Sequence, residues 1–265
     1  MAALRVAVIG AGAIGGVVVR ELAAAGGRGV VLAGVLVRDP ARASGLPGPQ
    51  VRGLPALLAL RPQLVVEAAG QAAVHQYGPT VLRAGCDLLV SSVGALADAA
   101  LADALDAAAR AAGRQVLLPA GALGGLDWLA AAQMAGLHRV HYRSRKPPAA
   151  WRGTPAESAL DLDALHTATV FFEGSARDAA HLYPKNANVA AALALATLGL
   201  DAVQVELVAD PAATGNRHEI EAEGVAGRLR LELDNAASAD NPRTSLITPY
   251  SLLRRIHARW APLAT

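Results

Sequence analysis

Leu4-Arg5-Val6-Ala7-Val8-Ile9-Gly10-Ala11-Gly12-Ala13-Ile14-Gly15 is the stretch that decides the fold. A short apolar, β-branched run leads directly into glycines spaced G-x-G-x-x-G, and the Ala-rich stretch from Ala13 to Ala25 reads as a helix. Strand, glycine loop and helix in that order form a phosphate-binding turn: Gly10 permits the tight turn, Gly12 lets the backbone approach a pyrophosphate, and Gly15 lets the helix pack close to the strand. The start of the helix, at Ala13 and Ile14, offers unpaired amides and the positive end of a dipole to the anion.

Outward from this turn, residues 4 to about 119 alternate apolar runs with Ala-rich stretches. Strands are expected at Leu4–Ile9, Val30–Val37, Leu64–Glu67, Leu88–Val90 and Gln115–Leu118, with a weak one near Val51. Helices are expected near Ala13–Ala25, Pro55–Leu60, Ala73–Ala84 and Asp98–Ala112. Strands apolar throughout belong to a parallel sheet covered on both faces, so residues 1–120 read as a doubly wound, Rossmann-type dinucleotide-binding domain. From about Leu137 the pattern changes: Leu229, Leu231 and Leu233 interleave with Arg228, Arg230, Glu232 and Asp234, which gives a sheet wet on one face and mostly antiparallel. Residues 121–245 therefore read as an α+β domain, with helices at Gly124–Ala135, Ser175–His181 and Ala187–Leu198. An amphipathic helix in 246–265 is expected to return to the first domain, and Lys146–Glu157, rich in proline, reads as a mobile loop.

Composition narrows the function. Net charge is +2 over 265 residues and only 3% are aromatic, so neither the basic stripe nor the stacking platform of a nucleic-acid binder is present. No apolar run reaches the roughly 18 residues of a membrane span, and the glycine spacing argues against reading Val6–Val19 as a signal peptide. The single cysteine, Cys86, has no internal partner, and no Cys/His cluster has zinc spacing, so no metal is expected and a reducing, cytoplasmic compartment fits. Of 24 basic residues only Lys146 and Lys185 are lysines.

The second strand ends Val37-Arg38-Asp39-Pro40. Arg38 suits the 2′-phosphate of NADP and Asp39 the ribose 2′-hydroxyl of NAD, so both cofactors are admitted. Glu67 closes the fourth strand, near where the nicotinamide half of a dinucleotide lies on such a sheet, and is read as ordering that edge.

Five further segments resemble the L-aspartate dehydrogenase family, across essentially the whole chain. They are Ser92-Val93-Gly94-Ala95-Leu96, Pro119–Asp127 with its Gly121-Ala122-Leu123-Gly124-Gly125 core, Ser144-Arg145-Lys146-Pro147-Pro148, Phe172–Arg177 running on to Tyr183-Pro184-Lys185-Asn186-Ala187-Asn188-Val189, and Gly215-Asn216-Arg217-His218-Glu219-Ile220. The resemblance implies a homodimer that oxidises L-aspartate to iminoaspartate with NAD or NADP, the product hydrolysing to oxaloacetate and ammonia or feeding NAD biosynthesis. It also implies that His218 is the active-site residue and that Ala122 and Asn188 contact the cofactor. Ala120, where the family pattern has serine, is a small departure.

Read by themselves, residues 216–223 alternate so that His218, Ile220 and Ala222 share one inward face. An inward histidine with apolar neighbours is a core residue or a base acting on the substrate amine or on water. Pro184-Lys185-Asn186-Ala187-Asn188 precedes an apolar helix, where an asparagine caps or presents an amide. A dicarboxylic substrate needs a cationic partner. Lys185 is the first candidate, with Asn186 beside it, ahead of Arg145, Lys146 and Arg243. A reductase of the dihydrodipicolinate or homoserine dehydrogenase type would share this architecture, although paired histidines followed by lysine, as in the former, are missing. A dinucleotide-sensing regulator would need the glycines but neither His218 nor Lys185.

Overall fold

The first strand, β1 (Leu4–Ile9), lies in the middle of a six-stranded parallel sheet and hydrogen-bonds to a strand on each side. A computed structural model describes residues 3–25, 29–43, 45–184, 186–238 and 241–261. The chain divides into two compact units, Met1–Gly121 with Thr248–Thr265, and Ala122–Ile247.

In the first unit β1 is followed by α1 (Ala13–Ala24), β2 (Val30–Leu36), β3 (Gln50–Val51), α2 (Leu54–Ala59), β4 (Leu64–Glu67), α3 (Gln71–Arg83), β5 (Asp87–Val90), α4 (Ala99–Ala112) and β6 (Val116–Leu117). The sheet order β3-β2-β1-β4-β5-β6 reverses direction at β1, and the carboxyl ends of β1 and β4 are where such sheets bind ligands. Alternation explains why these strands are apolar at every position. Val6 and Val8 pack with Val18, Val19 and Leu22 of α1, while Ala7 and Ile9 face Val74, Val81 and Leu82 of α3 and Leu101 and Leu105 of α4. The C-terminal helix, Ile247–Ala258, adds Leu252, Leu253 and Ile256 to the α1 side of this core. Helix α4 starts where Asp98 accepts hydrogen bonds from the amides of Ala100 and Leu101, and stops at Gly113 in the left-handed region.

The second unit holds α5 (Leu126–Gly136), β7 (Leu137–Lys146), α6 (Ala156–Ala159), β8 (Thr169–Ser175), α7 (Ala176–Leu182), α8 (Asn188–Ala196), β9 (Gln204–Ala209), β10 (Asn216–Gly224) and β11 (Gly227–Asn235). A two-stranded ribbon, β12 (Ala237–Ser238) with β13 (Asn241–Ser245), follows. The main sheet runs β11-β10-β7-β9-β8, with β7 and β9 parallel and the remaining neighbours antiparallel. Alternation divides its faces. Val140, Tyr142, Ser144 and Lys146 of β7 and Asn216, His218, Ile220 and Ala222 of β10 are buried. The other face carries an ion-pair lattice, in which Arg143 pairs with Glu206 and Glu219 and Arg145 with Asp210 and Glu219.

Two expectations are corrected. Lys146–Glu157 is not a bare loop: Lys146 ends β7, and the segment is pinned by the fully buried Trp151, whose indole N–H donates to the carbonyl of Val208 at 3.1 Å. Neither asparagine of the 186–188 stretch caps the following helix. Its N-cap is Ala187, without a side-chain bond, Asn188 is the first helical residue, and Asn186 turns away to donate to the carbonyl of Ala150. Helix α5 also begins two residues later than expected, because Gly125 holds a left-handed φ of 73°. No helix among the described residues is long and apolar enough to cross a membrane.

Candidate active site

The three glycines of the phosphate loop meet different surroundings. Gly10 has φ +101°, and a Cβ on it would lie 2.7 Å from the carbonyl oxygen of Ala68. A Cβ on Gly15 would lie 2.2 Å from the carbonyl oxygen of Gly10, so the first and third glycines close the turn against the chain itself. Gly12 differs: it is the N-cap of α1, is exposed, and a Cβ there meets nothing within 4 Å. The open space beside Gly12, facing the unpaired amides of the first helical turn at Ala13 and Ile14, is where a pyrophosphate fits. Arg38 and Asp39 follow β2 and are both exposed, with the Asp39 carboxylate 4.0 Å from Arg52.

Glu67 fastens the carboxyl edge of this sheet. Its carboxylate is 1% exposed and accepts hydrogen bonds from the amides of Ala69 at 2.7 Å, Gly70 at 2.8 Å and Ser92 at 3.1 Å, and from the Ser92 hydroxyl at 3.1 Å. Burial pushes its pKa up while these bonds pull it down, and burial dominates. The clamp ties the turn after β4 to the turn after β5. It also fixes the backbone at Ala68 and Ala69, against which Gly10 closes.

In the second unit the buried face of the sheet is polar at its β7–β10 centre. Ser144 lies directly opposite His218 in the antiparallel register, with Tyr142 and Lys146 two residues to either side on the same face. The Tyr142 hydroxyl is 2.7 Å from His218 Nδ1. Burial pushes the tyrosine pKa up, so the hydroxyl keeps its proton. Burial, reinforced by the nearby Lys146 charge, pushes the His218 pKa down to about 3, so its ring is neutral. Among the described residues its Nε2 is buried without a hydrogen-bond partner, as are Ser144 Oγ, Asn216 Oδ1 and Asn186 Oδ1. Buried polar atoms are rarely left unpaired, and two of these, His218 Nε2 and Ser144 Oγ, belong to residues directly opposite one another in the register, as a place for a polar ligand requires.

Of the other expected site residues, Ala122 is buried and its carbonyl accepts from the Asn235 amide at 2.9 Å. Asn188 is half-buried at the start of α8. Lys185 and the side chain of Arg243 lie outside the described residues. Arg145 faces the ion-pair lattice, where Asp210 and Glu219 occupy it. The sheet thus gathers His218, Tyr142, Ser144 and Lys146. Tyr142 and Ser144 did not stand out in the sequence, although the alternation Val140-Tyr142-Ser144-Lys146 was a usable signal once its pairing with β10 is known.

The homoserine dehydrogenase NAD-binding domain family matches residues 10–119, and with the glycine loop it defines an NAD(P)-dependent oxidoreductase. The aspartate dehydrogenase C-terminal family matches residues 127–259. The L-aspartate dehydrogenase of Ruegeria pomeroyi is 47% identical over 266 residues, covering 98% of this chain and 94% of that protein. The crystal structure of aspartate dehydrogenase from Thermotoga maritima matches 99% of each chain, with a TM-score of 0.76 and 27% identity. The chain belongs to the L-aspartate dehydrogenase family. A hyperthermophilic archaeal homoserine dehydrogenase, at a TM-score of 0.60 and 11% identity over 97% of this chain and 98% of that one, shares the fold alone.

Proposed function

We propose that this protein oxidises L-aspartate to iminoaspartate with NAD or NADP, and that His218 is its base. Family membership favours this reading over the reductase and sensor alternatives. The observation that carries the assignment of the base is the state of His218: a neutral imidazole, held at Nδ1 by Tyr142, with Nε2 buried and unpartnered. A bound nicotinamide would supply the acceptor for the hydride that leaves the substrate α-carbon. That transfer needs the substrate amine neutral; in the tautomer whose Nδ1–H donates to the Tyr142 oxygen, Nε2 is unprotonated and is the atom of this face placed to take the amine proton or one from the water that later adds to the imine. A pKa of about 3 makes His218 a weak base in the absence of substrate. An anionic substrate beside Lys146 would offset the cation's contribution, the smaller of the two causes, and so raise the histidine pKa from that value.

Gly10, Gly12, Gly15 and the amides of Ala13 and Ile14 hold the pyrophosphate in this reading, Arg38 and Asp39 meet the ribose, and Ala122 and Asn188 contact the cofactor. A homodimer in a reducing, cytoplasmic setting is the state the resemblance and the lone, buried Cys86 support; a monomer in sedimentation would count against the dimer. The activity itself is tested by absorbance at the reduced-nicotinamide band, with L-aspartate or L-homoserine and either cofactor. L-aspartate-dependent reduction is expected. Reduction with homoserine in its place would overturn the substrate assignment.

A further inference from the structure

Lys146 is 4% exposed, yet no carboxylate among the described residues pairs with it. Its ammonium sits 5.3 Å from the centroid of the Trp151 ring, and Trp151 is held by its own bond to Val208 and by edge-on packing with Phe171 and Tyr183. An aromatic face eases the burial of a cation but does not replace an anion. Its neighbour Arg145, on the opposite face of the same strand, has two carboxylates. The sheet therefore supplies acids to the face that does not need them for chemistry and withholds them from Lys146.

Across the strands, Lys146 is the diagonal neighbour of His218, and Ser144 is the direct one. Diagonal positions on one face lie roughly 7–8 Å apart, so the ammonium and the free Nε2 can both reach a small ligand. The Ser144 hydroxyl, fully buried and with only the Tyr142 hydroxyl near it among the described residues, lies between them in the register. We propose that Lys146 and Ser144 form the subsite that takes a carboxylate of the substrate, with His218 facing the amine. This deepens the aspartate reading and rests on it. It also moves the cationic partner from Lys185, the sequence candidate, to a residue whose charge no carboxylate among the described residues offsets. A buried, unpaired ammonium is expensive for a fold to keep, and such costs are characteristic of binding sites.

The test uses succinate, a dicarboxylate without an amine, titrated calorimetrically into the NADH-bound protein, alongside turnover of L-aspartate by the same samples. Wild type is expected to bind succinate, and Lys146→Met to bind it about 30-fold or more weakly, the loss typical when one member of a buried charge pair is removed. The KM for L-aspartate should rise in parallel while NADH affinity holds. Methionine fills the same space without burying charge, so its Tm should equal or exceed that of wild type, whereas a lysine with a purely structural role would lower Tm when replaced. Should Lys146→Met fail to fold, Ser144→Ala carries the test, with an expected loss of about tenfold. Undiminished succinate affinity and KM in an enzyme that oxidises L-aspartate would overturn the subsite and leave the function standing. Lys146-dependent succinate binding by a protein that does not oxidise L-aspartate would support the subsite and overturn the function. A wild type that binds no succinate overturns the subsite whichever way turnover falls.

Discussion

Tyr142 and His218 are joined through a 2.7 Å contact between the phenol oxygen and Nδ1, with their rings nearly parallel at 14°. Tyr142 is on β7 and His218 on β10, so the pairing of these strands, 76 residues apart along the chain, orients the histidine. In the tautomer that leaves Nε2 basic, the Nδ1–H donates to the phenol oxygen, and this one bond fixes the ring with Nε2 as its unprotonated nitrogen.

Tyr142→Phe keeps the ring and removes this bond. The expected result is a fall of about tenfold in kcat, a part of what general acid–base catalysis contributes, with KM for L-aspartate and NADH affinity little changed. Steady-state kinetics on the purified variant check it. An unchanged kcat would mean that packing alone positions the imidazole.

The phosphate loop offers a paired test. Gly12→Val projects into open space and should leave Tm near wild type while abolishing NADH binding, because its side chain takes the volume of the pyrophosphate. Gly15→Ala meets the Gly10 carbonyl at 2.2 Å and should lower Tm, since backbone must move to admit it. Thermal melts with NADH titrations separate the two, and a Gly12→Val protein that binds NADH normally would reduce the loop to a turn.

At the ribose end, Arg38→Ala should weaken NADP more than NAD, by about tenfold, the scale of one charge-assisted bond to a phosphate. Only the 2′-phosphate carries charge for the guanidinium to offset. Equal losses in KM for the two cofactors would remove Arg38 from the pocket and leave Asp39 as the ribose contact.

The first unit was legible because its signals are local. The glycine loop follows its strand directly, and strands such as Leu64–Glu67 are buried at every position, as a doubly covered sheet demands. His218 was legible as an inward residue for the same reason, since period-two alternation needs no knowledge of a partner strand. Of its companions only Lys146 was a candidate, and not as a neighbour of His218. Tyr142, Ser144 and Lys146 meet it only through a register between distant strands, and that register is set by tertiary packing. Of the two roles open to Asn186, the cap is the one it does not take, because its amide donates to the Ala150 carbonyl, 36 residues away. The prolines of 146–157 suggested mobility, but one buried indole at Trp151 outweighs them.

Turnover of L-aspartate by His218→Asn decides whether His218 is the base for the oxidation. Asparagine keeps polarity at a buried position, so a Tm close to wild type should accompany the change. The expected kcat is lower by about 10² to 10⁴, the range for a lost general acid or base, with NADH affinity preserved. Near-normal turnover of L-aspartate by His218→Asn would contradict it and return His218 to the core.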